Sequence, residues 1–342
     1  MRKLRMELKD SSYDIIIENN ALSHLSDYIK EVYHNSKIYI ITDDFVAPYY
    51  LEMVKNALSK DYIVDSVIFP HGEGSKSISN YCHVVEELLS KNIRRNELLL
   101  ALGGGVTGDL TGFIASSLFR GLPYISVPTS LLSQMDSSIG GKTGIDFASR
   151  KNILGAFIQP KLVVIDPLVL KTLPKEEWNN GMGELIKHAV IGNQGLFKLL
   201  KENVSIDENI IYESLSVKKR VVELDPFDLK ERMLLNFGHT FGHIVELEQN
   251  LRHGEAVGLG MLMAIKLGID LNLTKPECLK EVENVLKNYQ LPHQLLSYKD
   301  YLERVALDKK NLAGVLKFVL IDDIGNAFLY PIEEKQLKEL SK

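Results

Sequence analysis

The sequence predicts an α/β protein in which an N-terminal Rossmann-like parallel sheet domain precedes a mainly α-helical C-terminal domain. Three observations carry that prediction. The 342 residues exceed the usual span of one hydrophobic core, which sets the length expectation at two domains. The first half alternates short β-branched runs with amphipathic segments, the order of a parallel, doubly wound sheet. From about Leu173 onward apolar residues recur at helical spacing instead, so the second half is expected to be helical.

Taken in order, Met1 to Asp10 is a charged, alternating stretch with no apolar core of a signal peptide, and no window is apolar enough to span a bilayer. A cytoplasmic protein is expected. Tyr13–Ile17, Lys37–Thr42, Ile63–Phe69, Glu97–Leu102, Tyr124–Val127 and Leu162–Ile165 read as strands. Trp178–Ile191, Leu196–Lys201, Ile206–Leu224, Thr240–Leu247, Glu255–Leu271 and Pro276–Tyr289 read as helices with almost no strands between them. The boundary falls in the connection from Asp166-Pro167 to Leu173-Pro174, where prolines disfavour continued regular structure. The expected domains are therefore residues 1–172 and 173–342, with no internal repeat and no low-complexity tract.

Composition narrows the function classes. With 45% hydrophobic and 25% charged residues the chain is an ordinary globular protein. A net charge of -5 with Lys and Asp/Glu intermixed offers no broad basic field for nucleic acid, while a local basic pocket for a small anion remains compatible with it. The two cysteines, Cys82 and Cys278, are far apart and outside any CxxC spacing, which argues against a disulfide framework or thiolate metal site and fits a reducing compartment.

The strand-like run Glu97–Leu102 leads into Gly103-Gly104-Gly105-Val106-Thr107-Gly108-Asp109, and Val106, Leu110, Phe113, Ile114 and Leu118 then fall at helical spacing. Glycines in such a strand–turn–helix let the backbone approach a diphosphate at an amide-rich helix start. A tight turn packed for its own sake fits the residues equally well. Gly140-Gly141-Lys142-Thr143 fails as a P-loop, because Asp136 stands where that motif needs its first glycine.

His239 and His243 are four apart and share a helical face, and His253 follows. Glu184 is the best placed carboxylate, with Lys187 and His188 about one turn further along. Imidazole and carboxylate donors suit a zinc-like ion, and a catalytic site needs three of them with one position open. A lone histidine pair at this spacing is commonly structural; the third histidine tips the reading to a metal. Lys142, Lys151, Asn152, Lys187, Lys218 and Arg232 are candidates for holding an anionic substrate, although each taken alone reads as a solvated surface residue.

Together, Gly103–Asp109, Arg120-Gly121, Pro128-Thr129-Ser130, Asp136 to Thr143, Lys151-Asn152, Gly155-Ala156-Phe157, Glu184 to Lys187, Leu235–His243 and His253 to Val257 resemble the 3-dehydroquinate synthase family in order and spacing over most of the chain. The resemblance implies the dehydroquinate synthase-like fold, with an NAD-binding first domain, a metal- and substrate-binding second domain, a site in the cleft between them, and a homodimer. It implies metal ligands Glu184, His239 and His253 for zinc or cobalt, and places His243 on the substrate. It assigns NAD to Asp43, Glu73, Lys76, Gly104, Gly105, Val106, Asp109, Thr129, Ser130, Lys142, Lys151, Thr172 and Leu173. The anionic substrate falls to Asp136, Lys142, Asn152, Lys187, Lys218, Arg232, Asn236, His243 and Lys310, with Arg120 reaching the phosphate in a neighbouring subunit. Three features depart from the family pattern: Ser130 for a second threonine, Phe45 near the adenosine, and Asp225 to Arg232, which lacks the usual glutamates and glycine.

The implied chemistry is transient oxidation of 3-deoxy-D-arabino-heptulosonate 7-phosphate by NAD, phosphate elimination, reduction and aldol closure to 3-dehydroquinate, a step of the shikimate pathway. Oxidation matters because a ketone acidifies the neighbouring C–H bond that elimination must break. A sister sugar phosphate cyclase such as 2-deoxy-scyllo-inosose synthase would share fold and cofactors, and a metal-dependent polyol dehydrogenase would share the two-domain plan but release reduced cofactor. Arg232 favours the first reading, because it suits a substrate carboxylate that the sister substrates lack.

Overall fold

In the computed structural model residues 1–308, 315–333, 336 and 339–340 are described. The chain divides into two units, Met1–Leu173 with Asp207–Tyr212, and Pro174–Ile206 with Glu213–Lys342. The first contains β1 (Arg2–Met6), β2 (Tyr13–Ile17), α1 (Leu25–Lys30), β3 (Lys37–Asp43), α2 (Ala47–Leu58), β4 (Ile63–Phe69), α3 (Ile78–Ser90), β5 (Leu98–Gly103), α4 (Gly105–Ser117), β6 (Tyr124–Pro128), β7 (Lys142–Phe147), β8 (Arg150–Phe157) and β9 (Leu162–Ile165). Seven of these strands form one sheet in the order β1-β2-β9-β6-β5-β3-β4. All its pairings are parallel except β1 against β2.

Alternation along the central strands sorts side chains onto two faces. Ile38, Ile40, Leu98, Leu100 and Leu102 pack with Leu25 and Ile29 of α1 and Leu51, Val54 and Leu58 of α2. Tyr39, Ile41 and Leu99 pack on the other side with Val84 and Leu88 of α3 and Leu110 and Ile114 of α4. A sheet covered on both faces needs near-continuous apolar strands, and each fully buried Leu or Ile contributes roughly 1.5–3 kcal/mol. The chain leaves β3 toward β4 and leaves β5 toward β6, in opposite directions from neighbouring strands. Their carboxyl ends, Asp43 and Gly103, therefore flank the point where the winding reverses, the place where such sheets leave a crevice for ligands.

Three expected strands form at their expected bounds, and the other three end one residue later, at Asp43, Gly103 and Pro128, with the strand expected from Glu97 also starting one residue later, at Leu98. Two features of this unit differ from expectation. The charged N-terminal stretch is the edge strand β1, burying Leu4 and Met6 while Lys3 and Arg5 pair with Asp14 at 3.0 Å. Period-two alternation is the signal, and its charges keep an edge in water. The β7–β8 hairpin was not foreseen, because its strands are polar and glycine-bearing. Gly144 faces Gly155 across it, and a Cβ on either would lie 2.8 or 2.5 Å from a carbonyl oxygen of the other strand. Lys142 thus opens a strand, not the helix that a P-loop would require.

The second unit holds α5 (Lys175–Gly192), α6 (Gln194–Lys201), most of α7 (Glu208–Leu224), α8 (His239–Gln249), α9 (His253–Asp270), α10 (Glu277–Asn288), α11 (Lys299–Asp308), β10 (Val315–Asp323) and β11 (Asn326–Glu333). The antiparallel hairpin of β10 and β11 corrects the expectation of an almost strand-free second half. Its apolar run carries no helix–strand distinction by period alone; Gly325, at φ +93, supplies the turn that decides it.

α9 is buried almost all round, from Gly254 to Gly268, and neighbouring helices reach it through glycines. A Cβ on Gly183 of α5 would sit 2.0 Å from the Gly254 oxygen, and one on Gly254 2.0 Å from the Asn180 oxygen. A Cβ on Gly260 of α9 would sit 1.9 Å from the Gly238 oxygen, just before α8. These contacts are backbone against backbone, so no rotamer change relieves an added methyl. We therefore expect Gly183→Ala to cost more than the roughly 1–3 kcal/mol of ordinary overpacking and to lower Tm by about 5 °C or more. Gly74→Ala, where a Cβ meets nothing within 4 Å, should leave Tm unchanged. Thermal unfolding followed by circular dichroism checks both, and an unaltered Tm in Gly183→Ala would show that these helices part freely.

Candidate active site

The glycine contacts set three donors around one point. Glu184 follows Gly183 on α5, His239 follows Gly238 into α8, and His253 precedes Gly254 at the start of α9. Oε1 of Glu184 lies 3.4 Å from Nε2 of His239 and 3.4 Å from Nε2 of His253. One ligand atom from each of the three falls within 4.8 Å of the others. Two imidazole nitrogens and a carboxylate oxygen are the donor set of a catalytic zinc-type site with a position to spare. The donors therefore fit a metal.

Electrostatically the two rings differ. Burial, helped by the nearby Lys187 ammonium, holds His239 down to about 3, so it is a neutral imidazole. Burial also works against charge on His253, but Glu184 and Glu246 outweigh it and push the ring up to about 9. Lys187 is buried and ion-paired with Oε2 of Glu184, on the side away from the histidines' shared oxygen. His243 is exposed on α8, its ring centroid 5.3 Å from that of His239 and set edge-on to it. Spacing alone would pair these two; the geometry turns His239 toward Glu184 instead.

The segment Asp225 to Arg232 is organised by Asp225. Its carboxylate accepts the backbone N–H groups of Leu229 at 3.0 Å, Lys230 at 2.6 Å and Arg232 at 3.2 Å. Burial raises its carboxyl pKa, yet these three donors more than offset that and hold it below the usual range. Asp228 takes a left-handed conformation at φ +61, and the buried Arg232 donates from Nη1 to the Pro226 oxygen at 2.8 Å. Lys218 is buried on α7, and Asn236 is exposed at the end of the 3-10 turn Glu231–Asn236. Lys310 lies outside the described residues.

In the first unit, Asp43 is buried at the end of β3 and accepts from the Phe45 and Val46 amides and, at 3.0 Å, from the Thr107 hydroxyl in the first turn of α4. It ties together the two loops that flank the winding reversal. The glycines divide by what surrounds them. A Cβ on Gly103 would strike Thr107 at 2.3 Å, so packing requires that glycine. Gly104, at φ −74, has nothing nearer than Ser130 Oγ at 3.5 Å, and Gly108 has nothing within 4 Å. Packing does not demand glycine there, and the open space in front of the free amides of a helix start suits a diphosphate.

Around that turn, the buried Lys76 ammonium lies 2.7 Å from Asp109 Oδ2 and 3.9 Å from the exposed Glu73. Burial opposes its charge, and Asp109 and Glu73 carry its pKa above the ordinary lysine value. Thr129 is buried with its amide on the Gly103 oxygen, and the Ser130 hydroxyl meets that of Ser133 at 2.8 Å, so serine in place of threonine keeps a working hydroxyl. Gly105 and Val106 open α4, and Thr172, before Leu173, bonds the Tyr50 hydroxyl at 2.6 Å. Asp136 sits half-buried in the turn Ser133–Ser137. Lys142, Lys151 and Asn152 are exposed on the β7–β8 hairpin, with Asn152 left-handed at φ +53 and its amide on Asp146 at 2.7 Å. Arg120, at φ +64 beside Phe119 at φ +53, is exposed in a strained pair of left-handed residues, a conformation that persists where surroundings or function require it. The half-exposed Phe45 ring lies 5.8 Å from those of Tyr49 and His71.

Sequence reasoning passed over three residues of this arrangement. Asp225 was read only as part of an atypical segment. Asn180 accepts the Gly254 amide at 2.8 Å, fixing the start of α9 against α5. Glu246 bonds His253 Nδ1 at 3.0 Å; its spacing from His239, two turns along one face, was the signal available.

Two family models match the chain, one described as 3-dehydroquinate synthase N-terminal over residues 66–180 and one as 3-dehydroquinate synthase C-terminal over residues 181–311. A 3-dehydroquinate synthase of Clostridium botulinum is 42% identical over 341 residues, covering 96% of this chain and 97% of that protein. Among solved structures, 2-deoxy-scyllo-inosose synthase complexed with carbaglucose-6-phosphate, NAD+ and Co2+ superposes with a TM-score of 0.86 at 23% identity, covering 99% of both chains. The 2-epi-5-epi-valiolone synthase of Streptomyces hygroscopicus, with NAD+ and Zn2+ bound, gives 0.85 at 26% identity, covering 98% of this chain and 97% of that one. The cyclase structures share the fold, whereas the full-length sequence match is to the synthase, so the chain belongs to the 3-dehydroquinate synthase family.

Proposed function

We propose that this chain converts 3-deoxy-D-arabino-heptulosonate 7-phosphate to 3-dehydroquinate and phosphate, with NAD oxidising and then reducing the substrate within each turnover. It is a phosphate-eliminating lyase of aromatic amino acid (chorismate) biosynthesis. The observation that carries the reading is the convergence of Glu184, His239 and His253 beside the buried Lys187, in a chain that aligns with the synthases over nearly its whole length. Residues 1–172 form the NAD-binding domain and 173–342 the metal- and substrate-binding domain. Among the described residues no helix is long and apolar enough to cross a membrane, and a cytoplasmic, homodimeric enzyme with no nucleic-acid partner completes the proposal.

When bound, the metal, zinc or cobalt, supplies Lewis acidity toward a substrate hydroxyl or ketone, and the nicotinamide takes up a hydride and returns it. Glu184, His239 and His253 hold the metal. Asp43, the Gly104-Gly105-Val106 turn and Asp109 line the dinucleotide site, with Glu73, Lys76, Thr129, Ser130, Lys142, Lys151, Thr172 and Leu173 as its further contacts. Buried cations bind anions strongly because little water competes, and Lys187, Lys218 and Arg232 serve the substrate carboxylate and phosphate in that way. The planar guanidinium of Arg232 fits a carboxylate through two parallel bonds, which favours a substrate bearing one. Asp136, Asn152, Asn236 and Lys310 complete the substrate contacts, and Arg120 serves the phosphate bound by the neighbouring subunit. His243 orients the departing phosphate, which itself carries off the proton.

The deciding assay supplies metal-replete protein with NAD and the heptulosonate phosphate and follows phosphate, dehydroquinate and NADH together. Equal phosphate and dehydroquinate with no accumulating NADH are expected. Turnover of glucose 6-phosphate or sedoheptulose 7-phosphate instead would move the chain to a sister cyclase, and net NADH would make it a dehydrogenase.

Two variants test the sites separately. Gly104→Ala meets no clash in the folded chain and loses only the N-cap preference for glycine over alanine, about 1 kcal/mol, so its Tm should fall by no more than about 4 °C, while NAD affinity falls about tenfold or more because a methyl occupies the space in front of the helix start. Calorimetric titration against NAD reads this, and undiminished affinity would leave the turn a packing device. Asp225→Ala leaves three amides without their acceptor, a cost of roughly 1–3 kcal/mol for each one that water does not reach. It should raise KM for the heptulosonate about tenfold with metal content unchanged, and steady-state kinetics beside metal analysis would expose an equal loss in both.

A further inference from the structure

We infer that Glu246 is a positioning residue for the metal: its carboxylate holds the His253 ring with the proton on Nδ1 and Nε2 directed at the ion. The inference rests on the reading of Glu184, His239 and His253 as metal ligands, and adds to it a residue that ligates nothing itself.

A carboxylate and a backbone carbonyl only accept hydrogen bonds, so each fixes the proton on the ring nitrogen it faces. Glu246 Oε2 lies 3.0 Å from Nδ1 of His253, and the Phe237 carbonyl oxygen lies 3.2 Å from Nδ1 of His239. Both rings therefore carry the proton on Nδ1, and both turn Nε2 toward the same Glu184 oxygen at 3.4 Å. Two histidines on different helices thus present the same nitrogen toward one oxygen, as donors that converge on an ion must. The two supports are unequal, however, since His239 leans on a neutral carbonyl and His253 on a carboxylate. A carboxylate behind an imidazole raises the basicity of the nitrogen in front, and such partners commonly alter metal affinity 10–100-fold.

The surrounding contacts show what is left for Glu246 to do. Arg252 is ion-paired with Glu176 and Glu177 at the start of α5, and Asn180 accepts the Gly254 amide. The backbone on either side of His253 is thereby fixed, and rotation of the ring about its own side-chain bonds remains. Glu246 removes that freedom. It reaches the ring from α8, where it lies seven residues after His239, so one helical face delivers a ligand and the support for another ligand.

The test compares wild type, Glu246→Ala, Glu246→Gln and His253→Ala by Zn2+ competition against a chromophoric chelator. It adds the visible absorption spectrum of the Co2+-loaded protein and thermal melting of the metal-free protein. Glu246→Ala should bind Zn2+ about 10–100-fold more weakly and alter the Co2+ bands, with the metal-free Tm within about 2 °C. Glu246→Gln, whose amide oxygen still accepts from Nδ1, should keep the wild-type Co2+ spectrum and lose less affinity. Unchanged affinity and spectrum in Glu246→Ala would overturn the inference, as would a loss accompanied by a large fall in the metal-free Tm. A loss as complete as that of His253→Ala would overturn it too, by making Glu246 a ligand. If His253→Ala itself binds like wild type, the metal site falls and the inference with it.

Discussion

The approach of α5 and α8 to α9 with no side chain between their backbones is the constraint on which the second unit depends. Glycine inside a helix costs up to about 1 kcal/mol relative to alanine, and this unit places Gly183, Gly242, Gly254 and Gly260 at such positions. Burial of α9 from Ala256 through Leu267 offsets that cost. The return is geometric. Glu184, His239 and His253 each stand next to a glycine at a close approach, so the contacts that pack the helices also set the distances among the donors. Side chains a few ångströms longer in these gaps would leave each donor in place on its own helix and the trio dispersed.

The first unit uses glycine for two different ends in one turn. Gly103 is forced by Thr107, whose hydroxyl is committed to Asp43, whereas Gly104 and Gly108 border open space. A residue chosen for packing and a residue chosen to leave room look identical in a sequence. For that reason the glycine run alone could not separate a dinucleotide cradle from a tight turn, and the distances around each glycine do separate them.

The same limit explains which parts of the fold were legible. β2 and β9 stand where continuous β-branched runs placed them, because a strand buried on both faces leaves little choice of residue, and β4, at the sheet edge with Ile63 and Ile68 exposed, also keeps its expected bounds. β1 went unread because its inward Leu4 and Met6 are only two positions among charges. The β7–β8 hairpin turns on Ala148 and Ser149, both left-handed, where Asn-Gly is the usual sequence signal. At the candidate site, spacing pointed to His239 with His243, since residues four apart share a face. Which neighbour a ring turns to is decided by other helices, and here Glu184 from α5 and the Phe237 carbonyl settle the orientation of His239. The family resemblance named the trio because it carries tertiary information that local periodicity lacks.

Several charges lie where packing is tight. Glu184, Lys187, Lys218 and Arg232 are all buried in the second unit, as are Asp43 and Lys76 in the first. Burying a charge is costly unless it is paired or hydrogen-bonded, and a hydrophobic replacement of similar volume is often no less stable. Stability alone therefore gives little reason to keep them. The pairings that are present, Lys187 with Glu184 and Lys76 with Asp109, hold the charges in a low-dielectric setting. An ammonium already desolvated by the fold need not shed its own water when an anion arrives, and a carboxylate already oriented need not reorganise around a metal. That preorganisation is the physical link between a core that tolerates buried ions and a site suited to a substrate carrying both carboxylate and phosphate.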